Sequence, residues 1–398
     1  MNKLQIDIGS TYFKTNDNGE IEQYFRNFDI SIHQDLMNNC SKILSKYQKD
    51  EVSICSSANG GLSTLIIGVT SLFSLKYATN IAFNSGINII DTVLYSKIEE
   101  AVAPMETINV VIVVGGIDGI ASKFDDKLIE YLKNVNYQNI VYVGNREGEK
   151  FLESHIENLV TLPNIIGDKL QIREDELKEY LTNLYQADIT GKEDIKALYE
   201  FTSNQIYSTP YIVNNALPKL KTLFHVADPF IVIDIGGATT DIHYSTDLVD
   251  NKNILTGSGF DRLVFKKLGV FKSRESLVFG AKNNEFVYEL LDYLGVNEHI
   301  LDDTSDKATV TLMQLAIFLV LYQVSNQHND YVSLKLEILN SIVLTGGISK
   351  VLSDDEIATI IKFFYKKILN YAETPNIITD RNYEIWTLGI EEIHNVGK

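Results

Sequence analysis

Short apolar runs broken by polar turns, rather than one long periodic pattern, organise this chain. Residues 4–8 lead into a second run at 11–15, and Asn18-Gly19 supplies a tight turn before a third at 21–28, so the N-terminus predicts consecutive β-hairpins. From 51 to about 164, runs at 52–55, 62–69, 89–95, 110–114 and 140–143 alternate with helix-length segments, which predicts a mostly parallel sheet with helices on its faces. Residues 168–205 are polar and charged and read as a solvated helical pair or a partner-facing subdomain. A second α/β unit starts at Pro229 with runs at 230–235 and 240–244 and continues to about 379, and a helix at 386–396 is expected to pack back on the first half. The most apolar stretch, 312–324, is too short to span a bilayer, carries Gln314 and Gln323, and reads as a buried helix.

Three of these runs end in glycine turns: Asp7-Ile8-Gly9-Ser10-Thr11, then Asp234-Ile235-Gly236-Gly237-Ala238-Thr239-Thr240-Asp241, then Thr345-Gly346-Gly347-Ile348-Ser349-Lys350 after the strand at 341–344. Glycine lets backbone N–H groups approach a phosphate, since no Cβ intervenes. Ser10, Thr11, Thr239 and Thr240 can add hydroxyl donors, while Asp7 and Asp234 cannot touch phosphate without repulsion and are expected to hold Mg²⁺ through water. The third turn, with Gly346, Gly347 and Ile348, suits adenosine lying against backbone. A single such turn is an ordinary α/β feature. Three in this order predict an ATP cleft, and neither a GxxxxGK[ST] loop nor a GxGxxG fingerprint occurs to support another phosphate fold.

The order of the turns resembles the actin, sugar kinase and heat-shock ATPase superfamily. Within it, Ile6 to Tyr12, Cys55-Ser56-Ser57-Ala58-Asn59-Gly60-Gly61-Leu62, Val114-Gly115-Gly116-Ile117-Asp118-Gly119, Tyr142-Val143-Gly144-Asn145 and Asp234 to His243 resemble the glutamate mutase accessory (MutL) family. The resemblance implies an α/β, actin-like (ribonuclease H-like) ATPase fold with two lobes around a nucleotide cleft. Residues 1–225 would form the first lobe with an inserted α/β and helical subdomain, and 226–398 the second. It implies ATP and Mg²⁺ as cofactors, slow hydrolysis with Asp7 and Asp234 as catalytic carboxylates, and an adenosylcobalamin-dependent mutase subunit as partner, with room for a homodimer. A small-molecule kinase with Asp118 or Asp234 as base, and an actin-like filament, are the rival readings. Gly257 to Arg262 departs from the family's usual segment and reads as a glycine turn entering a helix.

Charge agrees with this class. Against 35 Lys and Arg stand 53 Asp and Glu, a net charge of −18, which argues against a nucleic-acid partner. No membrane role is expected. The N-terminus is already a strand at 4–8 rather than a leader, and Cys40 and Cys55 read as reduced thiols, so a cytoplasmic protein is expected.

Weaker signals are read soberly. The glycines at 115, 116 and 144 could mark a second site, with Asp118 and Asn145 as its side chains, but tight strand-to-helix turns explain them as well. His243 lies on a predicted strand and reads as a structural histidine rather than a ligand. Lys14 either reaches phosphate or is only solvated.

Overall fold

The computed structural model describes residues 3–57, 62–85, 87–118, 124–191, 193–249, 259–265, 268–325 and 333–396. The first strands, β1 (Leu4–Ile8), β2 (Tyr12–Asp17) and β3 (Glu20–Phe25), form an antiparallel meander. Asn18 and Gly19 both take positive φ, at 54° and 97°, as the two-residue turn between β2 and β3 requires. Next, β4 (Val52–Ser56) pairs parallel with β1. The chain then leaves this sheet to build a separate parallel one from β5 (Ser63–Gly68), β6 (Asn88–Leu94), β7 (Ile108–Val114), β8 (Tyr137–Val143) and β9 (Val160–Leu162), in the order β6-β5-β7-β8-β9. It returns at β10 (Tyr207–Ser208), which pairs parallel with β4 and completes the order β10-β4-β1-β2-β3.

The second half repeats that plan. Strands β11 (Phe230–Ile235), β12 (Thr240–Ser245) and β13 (Phe260–Phe265) form a meander, and β14 (Ser341–Gly346) and β15 (Asn376–Thr379) add on parallel, giving β13-β12-β11-β14-β15. Residues 260–265 are thus a strand and not a helix entry; Gly257 and Ser258 lie outside the described residues, as do Ala58 to Gly61 and Gly119. Two core sheets of one topology, the first carrying an inserted sheet, constitute the actin-like (ribonuclease H-like) α/β fold.

Val52–Ser56 therefore does not belong with the later apolar runs. Its sheet partner is β1, a choice that periodicity alone cannot make. The helices Asp175–Gly191 and Glu193–Leu198 are not a merely solvated pair either, because Leu177, Leu181, Tyr185 and Leu198 are buried with the core of the first sheet.

Apolar residues on alternate strand positions fill both faces. Ile231, Ile233, Ile235 and Ile342 pack against the helices Asp306–Ser325 and Asp354–Phe364. The first of these is long and apolar enough to cross a membrane by length and composition, yet most of it lies inside this core. On the opposite face Phe230, Val232 and Val343 meet the helices Thr209–Leu223 and Glu384–Val396. The second of these also meets the first sheet, where the Gln5 amide donates to the Thr387 carbonyl at 3.3 Å. Thr209 and Pro210, at the start of the first of these helices, line the cleft between the core sheets.

Candidate active site: a cleft between two matched turns

The β1–β2 and β11–β12 turns are built alike. In the first, the Gly9 N–H donates to the Tyr12 carbonyl at 2.9 Å; in the second, the Gly236 N–H donates to the Thr239 carbonyl at the same distance. They face one another across a cleft of about 490 Å³, a usual size for a small-molecule site. Packing between them is close enough that a Cβ on Gly237 would collide with the Thr11 hydroxyl. The third turn closes the group: Gly346 has φ +83°, and a Cβ there would run into the Asp234 carboxylate and the Ile235 carbonyl.

Of the residues singled out from sequence, Asp7, Gly9, Ser10, Thr11, Asp234, Gly236, Gly237, Ala238, Thr239, Gly346 and Gly347 all line this cleft. Thr240 and Ile348 do not. Thr240 is the first residue of β12, so its side chain points to the face opposite Thr239, where its hydroxyl donates to the Leu268 carbonyl at 2.9 Å. Ile348 opens a short helix and is buried in the core of the second sheet.

Register decides the electrostatics. Asp7 stands opposite Lys14 on β2, and Asp234 stands opposite Asp241 on β12. Lys14 Nζ lies 3.0 Å from Asp7 Oδ2, and the Thr209 hydroxyl donates to Oδ1 at 2.6 Å, so both oxygens of this buried carboxylate meet protein donors. Lys14 is thus neither free nor merely solvated. Burial opposes its charge, but Asp7 and Asp234 together outweigh that and hold it above its ordinary value.

The Asp234 carboxyl has no hydrogen bond or ion pair among the described residues. Burial, with Asp241 and Asp7 adding and Lys14 and Arg262 opposing, pushes its carboxyl from 3.8 up to about 7. Asp241 is itself tied to Arg262, whose Nε donates to Oδ1 at 2.8 Å. His243, two residues along β12, is fully buried; burial and then Arg262 hold its imidazole well below the usual value, and its Nδ1 meets Asn214 Oδ1 at 3.2 Å. It is a neutral structural residue.

Among the groups that sequence reasoning missed are Thr209 and Tyr383, which line the cleft, and Arg262, which holds Asp241; the Tyr383 ring sits 5.0 Å from Lys14 Nζ. Each reaches the site from far along the chain. Only the φ of +54° at Tyr383 marks it as unusual, and that is invisible in sequence.

The second candidate site is accounted for by structure. Tyr142 projects among Gly115, Gly144 and Gly148, where any Cβ would collide with its hydroxyl, and that hydroxyl donates to the Asn145 carbonyl at 2.9 Å. Asn145 caps a helix by accepting from the Gly148 N–H and donates to the Gly115 carbonyl. Asp118 accepts from Asn164 and pairs with Arg173 at 3.1 Å. Neither side chain lines the cleft.

Two features test the fit of a phosphate ligand. The Thr11 hydroxyl is buried in the cleft with no hydrogen-bond partner among the described residues, an arrangement that costs stability unless a ligand supplies the partner. Lys14 adds a fixed positive charge beside the turns. Among the described residues no group of three or more His, Cys, Asp or Glu side chains could hold a metal unaided. Magnesium would therefore need ligand oxygens as well as Asp234, which is how this ion is usually held.

Fold and cleft together define an actin-like protein with a cleft between its two core sheets. The MutL protein family model matches residues 3–312, more than half of the chain, and the chain belongs to that family. It is 25% identical over 291 residues to Protein MutL of Clostridium tetanomorphum, across 66% of this chain and 62% of that protein, so the match spans somewhat less than two thirds of the relative's length. Among solved structures, a nucleotide-free acetone carboxylase is similar at 12% identity and TM-score 0.39, covering 98% of this chain and 70% of that one. The activator of the 2-hydroxyisocaproyl-CoA dehydratase from Clostridium difficile, with bound ADPNP, is similar at 12% identity and TM-score 0.31, covering 100% and 97%. These are low-scoring likenesses, and the fold assignment rests on the repeated strand order.

Proposed function

We propose that this chain binds ATP with Mg²⁺ between its two core sheets and acts as a slow ATP-hydrolysing switch, an accessory or reactivating factor for an adenosylcobalamin-dependent mutase. The pair of matched turns enclosing the unpartnered Thr11 hydroxyl carries the reading. In it, the turns at Gly9, Ser10 and Thr11 and at Gly236, Gly237, Ala238 and Thr239 surround the phosphates, while Gly346 and Gly347 lie against the nucleoside. Lys14 neutralises phosphate charge, and Asp234, ionised once a cation is near, carries Mg²⁺ through water and orients the attacking water. ATP supplies a transferable phosphoryl group. Asp7 holds Lys14 in place rather than acting as a free metal ligand, since its oxygens are already engaged.

Closure of the sheets on nucleotide is the output. A ligand that prefers the closed form shifts the equilibrium by its differential affinity, and hydrolysis removes that bias. Membership of the MutL family and its resemblance to mutase accessory proteins support a mutase as the recipient and the cytoplasm as the compartment. The test is to mix the chain with a glutamate mutase carrying damaged corrinoid and follow corrinoid release by absorbance. Release that requires ATP and is lost in Asp234→Ala is expected; ATP binding with no effect on any such mutase would overturn the accessory role. One observation favours a small-molecule kinase instead. A carboxyl held at about 7 suits a general base, and ADP release that depends on an added acceptor alcohol would support that alternative.

A further inference from the structure

Beside the turns, one aromatic ring receives a cation from each half of the chain. Arg26 follows β3; its N–H donates to the Thr11 carbonyl at 2.9 Å and its Nη1 to the Gly9 carbonyl at 3.3 Å, so it is fastened to the first turn. Lys272 follows β13, and its N–H donates to the Gly237 carbonyl at 2.7 Å, fastening it to the second. The Arg26 guanidinium lies 5.6 Å and Lys272 Nζ 5.1 Å from the centre of the Phe28 ring. Around them Phe25 and Phe28 of the first half meet Phe271 of the second, with ring centres 6.0 and 6.1 Å apart, and the three rings are 54, 45 and 49% exposed.

Neither cation is paired with a carboxylate among the described residues. Arg26 is only 7% exposed, yet its Nε is buried without a hydrogen-bond partner. Asp35 is the first of the charges that favour its ionisation, but its oxygens serve the Asn27 N–H and the Asn39 amide. Burial and then Arg26 hold Lys272 below its ordinary value. In a chain with 53 acidic residues, two unpaired cations brought together across the cleft need a reason. Cation–π contact with Phe28 restores only part of the hydration that a buried guanidinium loses. An anion would restore the rest and remove the repulsion that opposes closure.

We propose that Arg26 and Lys272 form a site for a tetrahedral oxyanion of the phosphate class beside the two turns, where Lys272, Phe25 and Phe271 line the cleft. The anion links the two halves and favours the closed form. Its source is either free phosphate from solution or phosphate split from nucleotide in the cleft. The second source, and the closure that the anion favours, rest on the function proposed above.

Calorimetric titration with inorganic phosphate, into the chain alone and into the chain saturated with ADP, tests this. Phosphate binding to the chain alone points to the free anion, and binding only with ADP present points to the nucleotide-derived one. In either case Lys272→Gln should weaken phosphate at least about tenfold, as expected for losing one charge-assisted contact. Arg26→Gln should do the same, with circular dichroism checking its fold. Unchanged phosphate affinity in Lys272→Gln, loss only in Lys14→Gln, or no phosphate binding in either state would overturn the site. Phosphate binding that needs Lys272 in a chain that fails to bind ADP would leave the site standing and remove the nucleotide reading.

Discussion

The two Asp-Ile-Gly turns have the same backbone and opposite electrostatics. Each closes with a 2.9 Å hydrogen bond from the glycine N–H to the carbonyl three residues on. Across the hairpin, however, Asp7 meets a lysine and Asp234 meets an aspartate. The first turn is charge-balanced and its carboxylate is an anchor. The second is loaded with like charge in a desolvated place, and its carboxyl is poised near 7. Repetition of a backbone thus fixes where groups stand, while the cross-strand neighbour decides what they can do.

The largest expected effect breaks the matched geometry itself. Gly237→Val should drive the two turns apart, because its side chain would occupy the place of the Thr11 hydroxyl, and nucleotide affinity should fall by about 100-fold or more by calorimetry. Gly236→Ala is expected to cost much less, since its Cβ would stand 3.3 Å from the nearest atom, the Thr239 carbonyl oxygen. If the two substitutions were equally damaging, close contact between the turns would not be the cause.

Asp7→Asn comes next. It leaves Lys14 largely buried with its nearest counter-charge removed, and urea unfolding should show a loss of about 2–3 kcal/mol, below the usual range for a fully buried pair because Lys14 keeps 17% of its surface and Asp234 remains nearby. Asp234→Asn should not destabilise at neutral pH, and the contrast between the two variants is the sharpest statement of the comparison. Matching losses would erase it.

The same asymmetry should appear in pH dependence. A carboxyl raised from 3.8 to about 7 binds its proton more tightly in the folded chain, so the stability it contributes is full below the unfolded value and is lost as pH rises through 7. From about pH 5 to about pH 8 the melting temperature of the wild type should therefore fall relative to that of Asp234→Asn. Parallel curves would show that Asp234 is ionised throughout. The smallest effect is expected at Thr240→Ala, which removes the hydrogen bond to Leu268 and should cost about 1 kcal/mol without altering nucleotide affinity.

Much of the site was legible because its signals are local. A strand ending in Asp-x-Gly announces its own turn, and Asn18-Gly19 announces the hairpin that follows. The misplacements share one cause, which is that the deciding partner lies far away or one position off. Thr239 and Thr240 look alike in sequence, but strand alternation sends one to the cleft and the other to the core. Cys55 and Thr209 reach Asp7 across 48 and 202 residues, and no local pattern encodes that meeting. Val52–Ser56 has the same apolar character as the strands of the inserted sheet, so its pairing with β1 had to come from tertiary structure. The glycines near Tyr142 were ambiguous for the same reason, because what fills the space beside a glycine is not written next to it.

ATP binding measured by calorimetry with and without Mg²⁺, followed by phosphate release in the same sample, tests the central claim most directly. The account predicts tight binding that requires Mg²⁺ and slow release of phosphate. No heat of binding in either condition would mean that the matched turns are only the scaffold of the fold, and the switch would have no nucleotide to drive it.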